Sequence, residues 1–304
     1  MEIENFGSFL SIIILNWNSP QDTKECVDSL LPQIKPGYKI IIVDNGSLDN
    51  SVNLLRKQFP SIEIIENENN LGFQGGMNVG IKKALQTGSE YIMLLNNDTV
   101  ADQNMLELLF KNFPVDASLV SPLLCYYDMP SKIWSTGGKI NPIILEISVS
   151  TKKIRFNDPV FEQEFIPSCA WLVKSELFTK IGLLDEMFFP LYYDDLDFCL
   201  RTRRNGFKMF FVTQAILWHK VSQSMGGQYN VNERFLMARN SGYYFRKHAK
   251  FWQLPIIFVY RIISAFLWTI RLMVKKNYKA ISAYWKGFKI GWFDNMPVKK
   301  SLDF

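Results

Sequence analysis

The chain has 304 residues, of which 48% are apolar and 21% charged, and its net charge is +5. A chain of this size and apolar content buries one large core, or one core with an appended unit, which excludes a disordered or fibrous protein. The four cysteines form no CxxC pair, so their spacing predicts neither a zinc site nor a disulfide framework and favours a reducing compartment. The amino terminus lacks the positive region of a signal peptide, so we expect the main body to stay in the cytoplasm.

The basic charge belongs to the end of the chain. Residues 245–304 hold 12 of the 34 Lys and Arg residues and 2 of the 29 Asp and Glu residues, so this segment carries +10 and the rest carries −5. It also holds four of the eight tryptophans, interleaved with the cations. The apolar stretch 254–274, broken by Arg261 and Arg271, favours an anionic membrane surface over a nucleic acid. A tilted membrane-spanning helix and an amphipathic helix packed on the main domain are the alternatives.

The first third of the chain alternates between strand and helix patterns. Strands are predicted at residues 9–15, 39–43, 62–65 and 91–95, and helices at residues 22–31, 49–59 and 76–86. Such alternation predicts an α/β fold with a Rossmann-like, mostly parallel sheet flanked by helices. Ligands of such sheets bind at the carboxyl ends of the strands, and here polar residues follow all four strands.

The fourth of these strand ends is the most informative, because it runs into Asn96, Asn97 and Asp98. A strand that delivers oxygen ligands at its carboxyl end can present a divalent cation to a nucleotide diphosphate in the crevice. A polar turn after a buried strand is the alternative interpretation.

An ordered set of motifs resembles the inverting family 2 glycosyltransferases of the GT-A fold, and within them the bacterial rhamnosyltransferase-like branch. The motifs run from residue 9 to about residue 245, and they are IVDNGS (42–47), NLGFQGGMNVG (70–80), LNNDT (95–99), SCAWLV (168–173), LDEMFF (184–189), YDDLDFCLR (193–201) and WHK (218–220). The resemblance implies a GT-A catalytic domain over residues 1–225. A helical, basic and aromatic region over residues 226–304 would then associate with the membrane.

The resemblance also implies roles for particular residues. The donor nucleotide would be bound by polar and glycine residues at the strand ends, namely Asn16, Asp44, Ser47, Asn70, Gly72, Gly75, Asn78 and Asn96. Asp98 and His219 would hold Mg²⁺ or Mn²⁺, and a neutral imidazole suits Mn²⁺ better. The usual Asp-x-Asp is Asn96-Asn97-Asp98 here, which leaves Asp98 as the main carboxylate ligand.

On the acceptor side, Asp195 matches the catalytic base of the family, and we expect Asp194 and Trp171 to lie beside it. Capping of the following helix is the structural alternative for Asp194, and a place in the core is the alternative for Trp171. The turn at residues 134–138 is expected to shape the same side. Residues 222–232, with Gly226 and Gly227, are predicted to form a lid.

The implied reaction moves one sugar from a nucleotide diphosphate sugar, with dTDP-L-rhamnose as one candidate, to a lipid-linked glycan. The enzyme would be cytoplasmic and peripherally associated with the inner face of the plasma membrane, and it would bind no nucleic acid. A noncatalytic sugar-nucleotide or glycan-binding module is the rival from another class. A Rossmann oxidoreductase is disfavoured, because no GxGxxG opens the first helix, and a sugar nucleotidyltransferase is disfavoured because the first strand is followed by no basic glycine-rich loop.

Overall fold

The computed structural model describes residues 9–149, 158–221 and 229–297. The strands are β1 (Leu10–Asn16), β2 (Tyr38–Asp44), β3 (Glu63–Glu66), β4 (Tyr91–Asn96), β5 (Thr99–Ala101), β6 (Ala117–Tyr126), β7 (Ile133–Ser135), β8 (Gly138–Ile140), β9 (Ile147–Val149), β10 (Val160–Gln163), β11 (Ala170–Lys174) and β12 (Lys208–His219). The helices are α1 (Pro20–Leu30), α2 (Ser51–Gln58), α3 (Gly72–Gln86), α4 (Met105–Lys111), α5 (Ser175–Ile181), α6 (Asp194–Arg204), α7 (Val231–His248), α8 (Gln253–Val274) and α9 (Tyr278–Phe293).

The main sheet has the order β10-β12-β6-β11-β4-β1-β2-β3, with β5 paired to β12 and β7 paired to β6. The strands β3, β2, β1 and β4 are parallel, and β11 joins the sheet antiparallel to both β4 and β6. The residues of β1, β2 and β4 are mostly buried, which is why these three strands read as nearly continuous apolar runs, whereas β3 at the edge has exposed ends. The predicted α/β fold with a mostly parallel sheet is confirmed, and the predicted strand ends are correct to within one residue.

The third helix begins earlier than the sequence predicts. The prediction starts it at Gly76 and treats the preceding glycines as a loop, whereas α3 begins at Gly72. Two of its glycines are required for packing, because a Cβ at Gly76 would lie 2.4 Å from Leu15 Cδ1 and a Cβ at Gly80 would lie 2.4 Å from Ile13 Cγ2. These glycines let α3 pack closely on β1, so their role is in helix–sheet packing.

The sixth helix follows a chain reversal in which Tyr193 has a φ of +70°. Its first turn carries Asp194, Asp195 and Asp197, and its last turn carries arginines, so both ends complement the helix dipole. Because α6 is anchored at both ends, the carboxylates of its first turn have fixed positions.

The three carboxyl-terminal helices pack together. The backbones of α7 and α9 touch, since a Cβ at Gly287 would lie 2.2 Å from Phe235 O and a Cβ at Gly242 would lie 2.5 Å from Gly291 C. One buried cluster also joins Tyr244 of α7 to residues of α6. The division into a catalytic domain (1–225) and a membrane-associating region (226–304) stays a prediction.

Candidate functional site

A cavity of about 860 Å³ opens where β1, β2 and β4 end, at the edge where the sequence predicted the ligand. Its size suits a nucleotide-sized molecule. Strand ends, the start of α3, the 190–191 loop and the first turns of α7 line it. The lining residues are Leu15, Trp17, Asn18, Ser19, Asp22, Asn45, Asn70, Gly72, Phe73, Asn96, Asn97, Asp98, Pro190, Leu191, Asn232, Phe235 and Leu236.

Asn16 and Asp44 end adjacent strands and bind one another. The Nδ2 of Asn16 donates to Asp44 Oδ1 at 2.7 Å, and Ser47 donates to the two carboxylate oxygens through its hydroxyl (2.7 Å) and its backbone N–H (2.9 Å). Asp44 is only 2% exposed. This network fixes the loop that follows β2, and the donor contact expected of these three residues stays a prediction.

Asn45 shapes the loop that leads into α3. Its Nδ2 donates to Asn70 Oδ1 at 3.1 Å and to Gly72 O at 3.0 Å, and its Oδ1 accepts from the N–H of Leu71. The φ of Gly72 is +73°, and a Cβ there would lie 3.0 Å from the backbone of Pro190. Only glycine allows the 190–191 loop to approach so closely. Asn70 and Gly72 therefore lie on the wall of the cavity, and their expected contact with the donor stays a prediction. Asn45, which also lines the cavity, was not among the predicted site residues.

Two other residues predicted to bind the donor lie inside α3. The Nδ2 of Asn78 donates to Leu184 O (2.9 Å) and to Glu186 Oε1 (3.0 Å), and its Oδ1 accepts from the N–H of Leu184. Gly75 faces the side chain of Leu71 within the helix. Asn78 is 1% exposed, so its amide positions the segment before α6 and is not presented to the cavity. The prediction of a donor contact is corrected for Asn78, because its polar atoms are occupied within the fold.

The predicted metal ligands come together. The Oδ1 of Asp98 lies 3.2 Å from Nε2 of His219, and the ring of Trp134 packs edge-on against the imidazole at 4.6 Å. In the described part of the chain, the buried Oδ1 of Asn96 and Nδ1 of His219 have no hydrogen-bond partner. When each ligand atom lies about 2.1 Å from an octahedral cation, two adjacent ligand atoms lie about 3 Å from each other. The distance between Asp98 Oδ1 and His219 Nε2 matches this value. The carboxylate, imidazole and free amide oxygen fit a divalent cation, although no group of three His, Cys, Asp or Glu residues is found among the described residues.

The negative charge of the cavity wall indicates that a diphosphate bound there would need a cation. Among the residues that the structure describes, the lining holds two carboxylates, Asp22 and Asp98, and no Lys or Arg. Lys220 lies close by, but its Nζ is held by Asp22 Oδ1 at 2.6 Å and Glu25 Oε2 at 2.7 Å. A diphosphate would therefore meet net negative charge unless a cation accompanied it.

Asp195, the predicted base, lies in the first turn of α6 and is not among the residues that line the cavity. Burial raises the pKa of the Cys169 thiol, and the negative charges of Asp98 and Asp195 raise it further. Cys169 is tied to the end of β4, because its carbonyl accepts from the N–H of Asn96 at 2.9 Å. The charges of Asp98 and Asp195 therefore both act on a thiol next to the end of β4.

Asp194 and Asp195 have different surroundings. Burial raises the pKa of both carboxyl groups, and the charge of Asp195 raises that of Asp194 further. Asp194 is only 4% exposed. Asp195 is half-buried, and its Oδ1 accepts from the N–H of Leu196 at 2.8 Å. Deeper burial and the charge of its neighbour therefore raise the pKa of Asp194 more than burial raises that of Asp195.

Asp197 anchors α6 to α7. Its carboxylate is fully buried and is bound by Arg201 (2.8 Å), by His248 (2.7 Å) and by Lys247. Burial alone would raise the pKa of Asp197, but the His248 hydrogen bond and the two nearby cations hold it well below its usual range. This network holds the helix that presents Asp195.

Trp171 does not lie at the acceptor side. It is 0% exposed, its indole N–H donates to Ile166 O at 3.2 Å, and its ring stacks on Phe198 at 5.2 Å. The strand β11 lies inside the sheet, between β4 and β6, and Phe198 of α6 covers the ring of Trp171. The prediction is corrected, and Trp171 is a core residue that supports α6.

Two lining features were not predicted. Trp17 is 48% exposed at the cavity, and its position directly after the first buried strand could have identified it. The other is the 190–191 loop, which Asn240 of α7 fixes by donating hydrogen bonds from its Nδ2 to the carbonyls of Phe188, Leu191 and Tyr192. Most of the predicted lid, residues 222–228, lies outside the described residues.

Comparison with known proteins gives consistent results. A profile described as Glycosyl transferase family 2 matches residues 11–182. The low-salt glycan biosynthesis hexosyltransferase Agl10 of Haloferax volcanii is 29% identical over 204 residues, which cover 65% of this chain and 62% of that protein. The chain therefore spans less than two thirds of the length of this relative.

Two solved structures share the fold. The mannosyltransferase PcManGT of Pyrobaculum calidifontis, in complex with GDP-Man and Mn²⁺, has a TM-score of 0.57 at 13% identity over 95% of this chain and 89% of its own. GalNAc-T7 with UDP, GalNAc and Mn²⁺ has a TM-score of 0.61 at 14% identity over 79% of this chain and 50% of its own. At these identities the likeness shows the fold alone, and the fold is GT-A-like.

Proposed function

The chain belongs to glycosyl transferase family 2, and we propose that it is an inverting, metal-dependent glycosyltransferase of bacterial surface glycan synthesis. It transfers one sugar from a nucleotide diphosphate sugar to a hydroxyl group of a lipid-linked or polysaccharide acceptor. The observation that carries this proposal is the pairing of Asp98 with His219 after β4, where Asp98 lines the cavity. Asp195 supports it, because its negative charge acts on the Cys169 thiol together with that of Asp98.

The proposed donor site uses the strand ends. The indole of Trp17 stacks on the nucleobase, and the loop held by Asn16, Asp44 and Ser47 borders the base and ribose. The rhamnosyltransferase-like motifs favour dTDP-L-rhamnose, and UDP-hexoses are the alternative donors. The complex of PcManGT with GDP-Man supports a nucleotide sugar as the class of donor.

Asp98 and His219 hold a divalent cation in this proposal, with Asn96 Oδ1 as a further oxygen donor. When bound, Mn²⁺ or Mg²⁺ neutralises the diphosphate and stabilises its negative charge as it leaves, which is worth several kcal/mol. The two carboxylates and the missing Lys and Arg in the described cavity wall support this requirement. The Mn²⁺ in two structures of the same fold also supports it.

Asp195 is the proposed general base. It accepts the proton of the acceptor hydroxyl while that oxygen forms a bond to the anomeric carbon, and the bond from that carbon to the diphosphate oxygen breaks on the opposite face. The configuration is inverted and no covalent intermediate forms. Burial raises the pKa of Asp195 toward the range where a base is most effective, and such catalysis contributes about 10²- to 10⁴-fold.

We propose that the reaction takes place on the cytoplasmic side. The four cysteines are free and buried, which agrees with a reducing compartment.

A thermal-shift panel tests the donor proposal. Nucleotide sugars are added with and without Mn²⁺, and a ligand that binds only the folded state raises the unfolding temperature. The cognate donor is expected to give the largest rise, and only with the metal present. A noncatalytic binding module would give the same rise but no release of nucleotide diphosphate when an acceptor is supplied, so turnover separates the two functions.

A further inference from the structure

One face of α8 is exposed and apolar along the whole helix. The exposed side chains recur at spacings of three and four residues and therefore form one continuous stripe. They are Ile256 (46% exposed), Val259 (59%), Tyr260 (39%), Ile263 (55%), Phe266 (57%), Leu267 (63%), Ile270 (59%), Met273 (52%) and Val274 (77%). The helix rises about 1.5 Å per residue, so the stripe is roughly 27 Å long. An apolar patch of this size on a protein surface indicates a binding partner.

Two polar residues of α8, Gln253 and Arg261, lie on the opposite face, against the protein. Arg261 is 8% exposed, and its guanidinium donates to Glu146 Oε1 at 2.7 Å and to Ser241 Oγ at 3.0 Å. Gln253 donates to the carbonyls of Pro142 and Ile143. A helix that faced water would have the reverse arrangement, with its polar residues exposed.

These contacts bear on how α8 meets a bilayer. By length and composition α8 is the one helix among the described residues that could cross a membrane. A spanning orientation would have to break the buried Arg261–Glu146 pair or draw Glu146 and its loop into the hydrocarbon, and either change is costly. The indole N–H of Trp285 also donates to Thr269 Oγ1 at 3.0 Å, which ties α8 to α9. The helix is therefore held along the protein surface, with only the apolar stripe free.

The charge around the stripe identifies the partner. Neither α8 nor α9 contains an Asp or Glu. Exposed cations lie at the end of α8 and along α9, namely Arg271, Lys275, Lys276, Lys279, Lys286 and Lys289. A symmetric dimer through this face would bring the same cations toward each other, whereas an anionic lipid surface would neutralise them.

We propose that the stripe on α8 is an in-plane membrane-docking surface for a bilayer that contains anionic phospholipid. The apolar side chains enter the interface between headgroups and acyl chains, and the cations of α8 and α9 bind the headgroups. This proposal does not depend on the reaction proposed above. It also gives that reaction a location, because α7 lines the cavity with Phe235 and packs on α9 through the same residue.

Vesicle flotation of the full-length protein tests the proposal. Ile263→Glu combined with Leu267→Glu places two charges in the stripe at exposed positions, so the fold should be unchanged. Val115→Glu is the matched control, because Val115 is 97% exposed but lies between α4 and β6. With phosphatidylcholine vesicles that contain phosphatidylglycerol, we expect wild type and V115E to float, and the double variant to bind at least about tenfold less.

Further measurements distinguish the in-plane helix from a spanning helix and from a dimer interface. Salt should release wild type from the vesicles in part, because it screens the attraction between the cations and the headgroups. Alkaline carbonate should release it too, because an in-plane helix does not span the bilayer. Retention after carbonate would overturn the in-plane orientation in favour of a spanning helix. If the wild type does not float with the vesicles at low salt, lipid is not the partner. A wild-type dimer in light scattering, absent in the double variant, would then identify a second copy of the chain as the partner. Donor binding measured on the same preparations reports separately on the proposed reaction.

Discussion

Asp98 and His219 lie 3.2 Å apart, although one follows β4 and the other ends β12. The short strand β5 brings them together, because its first residue, Thr99, pairs with His219 at the antiparallel edge. The backbone supports the contact from the other side, where the N–H of Lys220 donates to Asp98 O at 3.0 Å. A carboxylate and an imidazole are thus fixed by main-chain pairing beside a cavity wall that lacks cations in the described residues.

Asp98→Ala is expected to weaken metal-dependent binding of a nucleotide diphosphate much more than His219→Ala. A carboxylate neutralises part of the charge of the cation, whereas an imidazole contributes only a neutral donor. Titration calorimetry with nucleotide diphosphate and Mn²⁺ measures the difference. The control is Asp128→Ala, which removes an exposed carboxylate outside the described cavity wall. Equal affinities of wild type and Asp98→Ala would show that Asp98 is not a ligand.

Asp195→Asn is expected to abolish transfer and leave donor binding nearly unchanged, since the substitution keeps the size of the side chain and removes its basicity. Asp194→Asn is the matched control. Burial and the adjacent charge raise the pKa of Asp194, so an amide resembles its protonated form. We expect this variant to keep kcat within about threefold of wild type.

Steady-state kinetics and donor titration on both variants check this assignment. Loss of activity in Asp194→Asn with activity retained in Asp195→Asn would exchange the two roles. The pH profile gives a second readout, because burial raises the pKa of the proposed base. As the pH falls, kcat/KM should decrease with an apparent pKa above that of an ordinary aspartate, which is about 4.

Asp197→Asn is expected to destabilise the fold by about 3 kcal/mol at pH 7, because it leaves the partly buried Arg201 and Lys247 without this carboxylate. The folded-state pKa of Asp197 is lowered, so its stabilisation is present above the unfolded pKa of about 4 and is lost as the pH falls toward the folded value. Denaturant unfolding of wild type and variant at pH 7 and at pH 3 measures the difference. If the free energies of unfolding of wild type and variant differ more at pH 3 than at pH 7, the result contradicts the ion-pair network.

Trp17→Ala is expected to weaken nucleotide binding about tenfold, since stacking of a base on an aromatic ring is worth about 1 to 3 kcal/mol. Trp17→Phe should restore part of the affinity. Trp252→Ala serves as the control, because Trp252 is 55% exposed but does not line the cavity. If alanine at position 17 leaves the affinity unchanged, the nucleobase lies elsewhere.

Local patterns predicted the parallel strands and their polar ends, because apolar runs bounded by turn residues determine both. The start of α3 was misplaced at Gly76, since glycine is a poor helix former and Gly72 and Gly75 therefore read as a loop. The burial of Trp171 follows from the packing of α6 on β11, where Phe198 stacks on its ring, and no local pattern encodes this packing. The partnership of Asn16 with Asp44 likewise depends on the pairing of β1 with β2.

The most direct test of the central claim is the fate of the anomeric carbon. The wild-type protein is incubated with dTDP-L-rhamnose or a UDP-hexose, Mn²⁺ and a lipid-linked acceptor, and the product is followed by NMR, with Asp195→Asn as the inactive control. We predict that wild type releases nucleotide diphosphate and forms a glycosidic bond with the anomeric configuration opposite to that of the donor. A product that retains the configuration, or equal turnover by Asp195→Asn, would contradict the account.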